Sequence, residues 1–379
     1  MNYFDHAATT PPYEDVAKTV AEVMARHYGN PSSLHRLGEE SAKLLDKARE
    51  VSAAALGVRP REIVFTGGAT ESNNLAIKGA ALQYAGRGKH LITTSTEHPS
   101  VLESVKQMAV WGWEATILPV DEDGCVTAEQ VREALRPDTV LVSVMHVNNE
   151  TGTVQPVEEI SRLLKAAAPR VLFHVDGVQG FGKLPISLSD SGIDLYSLSA
   201  HKLRGPKGVG LLYVCEGLQL APLLAGGGQE GGYRSGTENI PYIVAFSKAL
   251  RLAAEGREAR STKLYHLRER LIHGLAALPE LTVNSPAQGA PHIVHFSYPG
   301  MKAEALLHML EEDGFFVSTR SACSSKRSEP SRVLLAMGKS KEVASSGIRI
   351  SLGDEHEERD IDALLAALRQ SVKRLQALR

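Results

Sequence analysis

The protein is a chain of 379 residues, a length that suggests about two or three domains and is ample for large buried cores. It contains 42 Lys and Arg against 44 Asp and Glu, giving a formal net charge of −2. This balance gives no reason to expect direct nucleic-acid binding or binding to a membrane surface. Apolar residues make up 43 % and charged residues 23 %, which is typical of a folded globular protein and excludes a disordered or fibrous chain.

The N-terminus and the cysteines indicate the compartment. The first residues lack the basic start and apolar centre of a signal peptide, and no apolar run reaches the roughly 18 residues that a membrane span needs. The three cysteines, Cys125, Cys215 and Cys323, form no C-x-x-C pair, which is typical of a reducing compartment and argues against a structural zinc site. We therefore expect a cytoplasmic protein in which a functional cysteine acts as a thiol.

The first part of the chain is predicted to be helical. Apolar residues at helical spacing within 16–24 predict a helix that stops before Gly29-Asn30-Pro31. A second helix is predicted over 33–56, with Gly57 placed to end it. The apolar run 63–65 then predicts a strand.

From this strand onward, strand and helix patterns alternate. Near-continuous apolar runs lie at 91–94, 115–120, 140–147 and 171–175. Helical stretches between them begin near Pro99, Thr127 and Pro156. This alternation predicts a mainly parallel sheet with helices on both faces. Two further strands, 195–199 and 209–214, follow with little between them and can pair antiparallel.

The C-terminal part is predicted to form a second, smaller α+β unit. An amphipathic helix at 240–255 leads into the charged segment 255–260, where we place a domain boundary. Beyond it, the patterns predict helices at 264–278 and 360–378 and strands at 281–283, 293–297, 315–318 and 348–351.

Residues 66–72, Thr-Gly-Gly-Ala-Thr-Glu-Ser, follow a strand and open a helix. Glycines let a backbone approach a ligand, and the first amides of a helix together with the Thr70 hydroxyl can face an anion such as phosphate. A plain turn with Thr70 as the helix cap explains the same residues. The segment matches neither a Walker loop nor a G-x-G-x-x-G dinucleotide loop.

Two further strands end in polar residues, at the edge of a parallel sheet where ligands bind. Asp176 closes one strand and can hold the proton on a pyridine nitrogen, or can simply cap a turn. His174 and Asp176 alone do not predict a metal site, because no further His or Cys stands at ligand spacing. Lys202 follows the next strand, beside Ser199 and His201, which suit a phosphate. Most lysines are merely solvated, but a lysine amine, a ring-nitrogen carboxylate and a phosphate cradle together are what pyridoxal 5′-phosphate (PLP) requires.

The motifs, in this order along nearly the whole chain, closely resemble those of cysteine desulfurases of the NifS/IscS type, which are class-V aminotransferases of PLP fold type I. The segments that carry the resemblance are 5–10 (DHAATT), 67–74 (GGATESNN), 96–98 (TEH), 147–152 (VNNETG), 176–179 (DGVQ), 199–202 (SAHK), 226–230 (GGGQE), 234–239 (RSGTEN), 321–325 (SACSS), 329–331 (EPS) and 348–351 (IRIS). The resemblance implies an α/β homodimer. Each subunit would have a large PLP-binding domain, residues 14–255, with a mixed, mainly parallel seven-stranded sheet. A small domain would comprise 1–13 and 256–379 and carry the catalytic cysteine loop at about 318–331.

The resemblance also implies a role for each matching residue. Lys202 would hold the cofactor covalently and move protons, Asp176 would pair with the ring nitrogen, and His98 would stack on the ring as an acid or base. The other cofactor contacts implied are Asn149, Gln179, Ala69, Thr70, Ser199, His201 and, from the second subunit, Thr237. Arg349, together with Asn149, would bind the substrate carboxylate.

Cys323 would distinguish this reaction from transamination. Its thiolate would attack the sulfur of L-cysteine, leaving L-alanine and an enzyme persulfide for an acceptor protein. The small, polar residues around Cys323 favour an exposed loop over a buried structural thiol, and Arg320, Lys326 and Arg327 would favour the thiolate. The acceptor is left open between an iron–sulfur scaffold, for which Cys323 could be a transient cluster ligand, and a transfer-RNA thiolation enzyme.

Three alternatives remain. A selenocysteine lyase or an aminotransferase of the same fold would use the same Lys202 and Asp176. The role of Cys323 distinguishes these enzymes from a cysteine desulfurase. A nucleotide-binding protein would use 66–72 as its phosphate loop and leave Lys202 without a role. A non-catalytic protein that docks sulfur carriers would not need the complete set of catalytic positions. No resident metal is expected.

Overall fold

The computed structural model describes residues 2–319 and 329–377. Its strands are β1 (Asn2–Tyr3), β2 (Ile63–Thr66), β3 (His90–Thr94), β4 (Glu114–Leu118), β5 (Thr139–Met145), β6 (Leu172–Asp176), β7 (Leu195–Ser199), β8 (Gly210–Val214), β9 (Thr282–Val283), β10 (Ile293–Ser297), β11 (Phe315–Phe316) and β12 (Gly347–Ser351).

The α-helices flank these strands. They are α1 (Glu14–Arg26), α2 (Arg36–Leu56), α3 (Ala69–Asn74), α4 (Ala80–Gln83), α5 (Pro99–Met108), α6 (Ala128–Ala134), α7 (Val157–Ala167), α8 (Leu188–Ser191), α9 (Ile240–Glu255), α10 (Arg257–Ala276), α11 (Ala303–Glu312), α12 (Arg332–Ala336), α13 (Lys341–Ser345) and α14 (Glu358–Ala377). Across the described part of the chain, no helix combines the length and apolar character needed to cross a membrane.

A seven-stranded sheet in the order β2-β8-β7-β6-β5-β3-β4 forms the centre of the molecule. The strands from β7 to β4 in this order are parallel to their neighbours, whereas β8 is antiparallel to both β2 and β7. Every strand residue is buried except on β4, the exposed edge strand. Burial on both faces explains the near-continuous apolar runs in the sequence. The predicted mixed, mainly parallel sheet is confirmed, as is the antiparallel pairing of the strand at 195–199.

Several helix ends lie where the sequence signals place them. Gly57 adopts a left-handed conformation, with φ at +68°, at the C-terminus of α2, where a residue with a side chain would be strained. α5 begins at Pro99, whose fixed φ suits a first helical residue. Thr127 caps α6 by accepting a hydrogen bond from the backbone N–H of Gln130, and the Gln130 side chain bonds back to it.

The C-terminal residues form a second core together with the N-terminal strand. β12, β10 and β9 make an antiparallel sheet, and β1 pairs in parallel with β11. Phe4 belongs to an apolar cluster whose other members lie between Leu264 and Leu375, whereas the two main clusters beside the large sheet lie within residues 23–253. These separate cores support our proposed division into 14–255 on one side and 1–13 with 256–379 on the other.

The charged segment at 255–260 is not a linker. α9 ends at Glu255 and α10 begins at Arg257, so only Gly256 separates the two helices, and α10 starts well before the predicted 264. The physical reason is local, because the Arg260 guanidinium donates hydrogen bonds to the carbonyls of Leu252 and Ala253 at the end of α9. Arg260 of the charged segment therefore satisfies carbonyl groups at a helix C-terminus.

Candidate active site

The carboxyl ends of the parallel strands open into a cavity of about 800 Å³. Met145, Asp176 and Ser199 end β5, β6 and β7, and all three line it. The cavity brings together ten of the twelve residues predicted for the site: Ala69, Thr70, His98, Asn149, Asp176, Gln179, Ser199, His201, Lys202 and Arg349. Ligand sites of parallel α/β sheets are expected outside the carboxyl ends of the strands, which is where this cavity lies.

Two predicted residues are not in this group. Thr237 is exposed and borders a neighbouring hollow that shares Gly67 and Gly208 with the main cavity, so it does not line the main cavity of its own chain. Its contribution to the site of a second subunit stays a prediction. Cys323 lies outside the described residues, as do Arg320, Lys326 and Arg327.

Lys202 lies in a short 3₁₀ turn directly after β7. Its Nζ donates hydrogen bonds to the backbone carbonyls of Ala7, at 2.6 Å, and Ala8, at 2.5 Å. These carbonyls belong to the N-terminal segment, which therefore forms one wall of the cavity and orients the amine.

Asp176 lies at the floor of the cavity, and only 5 % of its surface is exposed. One carboxylate oxygen accepts from Nδ2 of Asn73 at 2.8 Å, and the other accepts from the backbone N–H of Val178 at 3.1 Å. The carboxylate is thereby fixed in place while it still faces the cavity. Asn73 was not singled out as a functional residue, although it lies within the 67–74 motif.

His98 is linked to Asp176 through a chain of hydrogen bonds. The amide of Asn73 also donates to Oγ of Ser100, and this Oγ lies 2.7 Å from Nδ1 of His98. Nδ1 further accepts from the backbone N–H of Ser100, so the proton of the neutral ring is on Nε2. Burial lowers the pKa of His98 most, Asp176 opposes this, and the positive charges of Lys202 and Arg332 lower it further.

The loop after β2 has the geometry of an anion cradle. Gly68 has φ at +149°, and Gly210 of β8 lies so close that a Cβ on it would come within 2.7 Å of the Gly68 backbone. α3, a π-helical turn at Leu75–Gly79, and α4 form one continuous helical run behind this loop. The N-cap residue of α3 is Gly68, which has no side chain to cap the helix. The interpretation of Thr70 as the cap is therefore wrong.

His201 lines the same cavity as this loop. Its Nδ1 is 3.2 Å from the Thr9 hydroxyl. Burial, with the charges of Lys202 and Lys207, lowers the pKa of His201 to about 4. The imidazole is therefore neutral at neutral pH and can donate one N–H to an anion.

Arg349 on β12 is almost completely buried, with 1 % of its surface exposed. Its guanidinium donates to the Asp5 carboxylate at 2.7 Å and to the backbone carbonyl of Asn149 at 2.8 Å, while Nε has no hydrogen-bond partner among the described residues. Gln179 is held in a similar way, because its amide donates to the Ala7 carbonyl and its Oε1 is 3.1 Å from Nε2 of His292. His292 was missed, because an isolated buried histidine directly before a strand gives no functional signal.

Both described ends of the segment that contains Cys323 are attached to the cavity wall. Ser318 makes two backbone hydrogen bonds with Arg349, at 3.2 and 2.6 Å. On the other side, the Ser331 hydroxyl donates to the Glu150 carboxylate at 2.6 Å, next to Asn149. The chain therefore leaves and re-enters the described structure at the candidate site.

The other two cysteines and His174 have no part in this site. Cys125 and Cys215 are both half-buried, Cys215 packs against the main apolar cluster, and burial raises the pKa of Cys125 to about 11. The two ring nitrogens of His174 lie within hydrogen-bond distance of Ser143 and Ser197, and burial lowers its pKa to about 3. Within residues 2–319 and 329–377, no group of three potential metal ligands is found.

Glu97, directly before His98, provides a test of the electrostatics beneath the site. Only 1 % of its surface is exposed, and burial raises its pKa from 4.5 to about 8. The folded protein thus keeps a proton that the unfolded chain loses above pH 4.5, so this group's stabilising contribution is full below that pH and declines as pH rises toward 8. Gln does not titrate, so only the unsubstituted protein loses this contribution as pH rises. We expect the free energy of unfolding of Glu97→Gln, minus that of the unsubstituted protein, to increase between pH 5 and pH 8 by on the order of a few kcal/mol.

Urea unfolding of both proteins at the two pH values measures this difference. Gln keeps the acceptor for the backbone N–H of Met145 and for the Thr94 hydroxyl, so any cost of the new amide is the same at both pH values and cancels. A stability difference that stays constant from pH 5 to pH 8 would contradict the assignment of a neutral carboxyl.

Comparison with known proteins assigns the fold and the family. The profile of the family described as Aminotransferase class-V matches residues 2–364. A "Cysteine desulfurase IscS" of Methanosarcina thermophila is 42 % identical over 374 residues, which cover 98 % of this chain and 92 % of that protein. A solved structure titled "NIFS-like protein" matches with a TM-score of 0.92 and 39 % identity, covering 98 % of this chain and 99 % of the other. Another, titled "SspA in complex with cysteine", has a TM-score of 0.81 and 37 % identity over 93 % of this chain and 99 % of the other.

The chain belongs to the class-V aminotransferases, which are PLP-dependent enzymes of fold type I. Within them it belongs to the NifS/IscS group. The residues present fit the cofactor: the cavity holds a lysine amine, a buried carboxylate with fixed orientation, and a glycine loop that packs so closely on β8 that Gly210 has no room for a Cβ. The predicted fold class, family, enzyme class and cofactor are confirmed.

Proposed function

We propose that the protein is a cysteine desulfurase that takes the sulfur from L-cysteine, releases L-alanine and carries the sulfur as a persulfide on Cys323. The observation that carries the proposal is the convergence of Lys202, Asp176 and Arg349 on one cavity to which both ends of the Cys323 segment attach. The cysteine in the complex of the similar SspA structure supports L-cysteine as the substrate.

Lys202 and Asp176 would hold the cofactor. PLP, when bound, supplies an electron sink that weakens bonds in an attached amino acid. Lys202 is the amine for covalent attachment, and the carbonyls of Ala7 and Ala8 orient it. Asp176, fixed by Asn73, would hold a proton on the ring nitrogen. Ala69 and Thr70 at the start of α3, with Ser199 and His201, would bind the phosphate.

His98 and Arg349 would act on the substrate side. The neutral His98 ring holds its proton on Nε2 and can give up or accept a proton in the cavity. Arg349 would bind the substrate carboxylate, and Asn149 and Gln179 would contact the oxygen on the ring. The Asp5 carboxylate and the Asn149 carbonyl fix the Arg349 side chain in advance, so little conformational freedom is lost on binding.

The sulfur transfer step balances without an added oxidant. The Cys323 thiolate attacks the substrate sulfur and forms an S–S bond, while the carbon–sulfur bond breaks and its electron pair stays on carbon. Protonation of that carbon gives L-alanine, and the enzyme keeps a persulfide anion. A thiolate acceptor can then remove the outer sulfur by the same type of attack.

The visible spectrum of the purified protein, recorded before and after addition of L-cysteine with alanine and sulfide assayed in the same sample, tests the proposal. We expect a PLP absorbance band that shifts on addition of cysteine, together with alanine formation. A protein that binds PLP but forms no alanine from cysteine would exclude the proposed reaction and leave an aminotransferase.

Replacement of Arg349 by Lys tests the carboxylate site. Lys keeps the charge that faces Asp5 but cannot form a two-pronged contact with a carboxylate, so kcat/KM for L-cysteine should fall about 10- to 100-fold, mainly through KM. Steady-state alanine formation measures this effect, with Arg270→Lys on α10, where the arginine pairs with Asp362, as the control. An unchanged KM in Arg349→Lys would remove Arg349 from the substrate site.

The remaining proposals concern the assembly and its surroundings. The enzyme would be a cytoplasmic homodimer in which Thr237 of each subunit completes the phosphate site of the other. Its acceptor would be an iron–sulfur scaffold or a transfer-RNA thiolation enzyme, with no direct nucleic-acid or membrane binding. Transfer of labelled sulfur from the persulfidated enzyme to candidates of each class tests the acceptor, and absence of label on both would reject the pair.

A further inference from the structure

The start of α12 is attached to the turn that carries His98. The Arg332 guanidinium donates hydrogen bonds to the backbone carbonyl of Ser95 and, at 2.5 Å, to that of Glu97. Both carbonyls belong to the turn between the end of β3 and His98, which caps α5. The two prongs of one planar side chain therefore hold the backbone immediately before His98.

A second side chain completes this attachment. The carbonyl of Thr96, which lies between the two carbonyls held by Arg332, accepts from Nδ2 of Asn148 at 3.0 Å. Asn148 precedes Asn149 of the cavity wall, and Glu150 of the same turn accepts from the Ser331 hydroxyl. The beginning of α12, the turn at 148–150 and the turn at 95–97 thus form one hydrogen-bonded unit.

The charge of Arg332 also reaches His98. Among the described residues, the charged groups that face His98 are Asp176 from β6, Lys202 from the turn after β7 and Arg332 from α12. Arg332 and Lys202 disfavour the imidazolium, whereas Asp176 favours it. Glu150 and Glu97 also face Arg332 and favour its charged form, and burial raises the pKa of Glu97 to about 8.

We propose that Arg332 is a positioning residue that holds the His98 turn, joins it to the chain segment leading from Cys323, and disfavours protonation of the His98 ring through its charge. The catalytic consequence rests on the proposed function, whereas the coupling between Arg332 and His98 does not. The sequence gives one cue, since Arg332 directly follows the Glu-Pro-Ser motif.

Two substitutions separate the effect of the Arg332 charge from that of its planar, two-pronged hydrogen bonding, which we call the fork. Arg332→Gln keeps a hydrogen-bond donor and removes the charge, whereas Arg332→Lys keeps the charge and loses the planar fork. The readout is hydrogen–deuterium exchange at the imidazole C2 position of the cofactor-loaded protein, followed by peptide mass spectrometry, which reports the titration of each histidine separately and needs no turnover.

We expect Arg332→Gln to raise the apparent pKa of His98 by about half a pH unit or more, because a positive charge near the imidazolium is removed. Arg332→Lys should leave the titration of His98 close to that of the unsubstituted protein. His308, an exposed residue of α11, provides an internal control, and Arg132→Gln on the surface of α6 provides a matched charge removal. A His98 titration unchanged in Arg332→Gln, or shifted equally in Arg132→Gln, would overturn the electrostatic coupling.

Turnover of L-cysteine tests the positioning. Both Arg332 variants should lose about tenfold or more in kcat with a smaller change in KM, and only Arg332→Gln should move the acidic limb of the pH profile upward. If Arg332→Gln does not fold, Arg332→Lys decides, since a kcat equal to that of the unsubstituted enzyme would overturn the role of the fork. Absence of alanine formation by the unsubstituted enzyme would reject the proposed function instead, and the exchange experiment would still test the coupling.

Discussion

Replacement of Cys323 by Ala is expected to reduce alanine formation from L-cysteine by about a thousandfold or more, because no other group would accept the substrate sulfur. The cofactor contacts lie on other segments, so the variant should still bind PLP and should still shift its visible spectrum with cysteine. Alanine assays and mass spectrometry of the sulfur on residue 323 measure the two parts of this result.

Cys125→Ala and Cys215→Ala are the matched controls, since both thiols lie outside the cavity. Each should keep alanine formation within about twofold, as expected for substitutions away from a functional site. Sustained alanine formation by Cys323→Ala would show that another group accepts the sulfur, and would favour a lyase of the same fold.

Replacement of Lys202 by Ala should remove covalent attachment of PLP and lower the rate of alanine formation by about a thousandfold or more, because the same amine would attach the cofactor and move protons. Borohydride reduction followed by peptide mass spectrometry should find the cofactor on residue 202 of the unsubstituted protein and nowhere in the variant.

Lys207→Ala is the control variant, because Lys207 also lines the cavity. It lies between the end of β7 and the start of β8, five residues after Lys202. Covalent PLP should remain on Lys202 in this protein. Attachment to Lys207 in the Lys202→Ala protein, with turnover preserved, would refute the role assigned to Lys202.

Sequence patterns predicted the parts of the site that follow from strand order. Asp176 ends β6 and Lys202 follows the end of the neighbouring parallel strand β7, so their proximity needs only the βα alternation and the rule that parallel strands end at one edge. The family resemblance added residues from distant segments, and ten of the twelve meet in one cavity. Their roles remain proposals for the experiments above.

The contacts between side chains on different elements could not be predicted in this way. The path from Asp176 through Asn73 and Ser100 to His98 depends on how α3 and α5 pack beside the sheet. Arg260 shows the same limit, because the charged segment 255–260 indicated only a domain boundary, and the structure shows that Arg260 donates to carbonyls at the end of α9. Periodicity reports which face of an element is buried, but not which polar partner it meets there.

The N-terminal wall of the cavity has a consequence for biosynthesis. Phe4 pairs with Phe316 and Ser351, and the backbone N–H of Ala7 donates to the Ser351 hydroxyl, so this segment is held by a residue made 344 positions later than Ala7. The seven-stranded sheet is complete once Val214 has been synthesised, long before the carbonyls of Ala7 and Ala8 can be fixed beside Lys202. A growing chain that has all seven strands but lacks β12 would therefore have an unfinished active site, and loading of the cofactor is expected to follow the synthesis of β12.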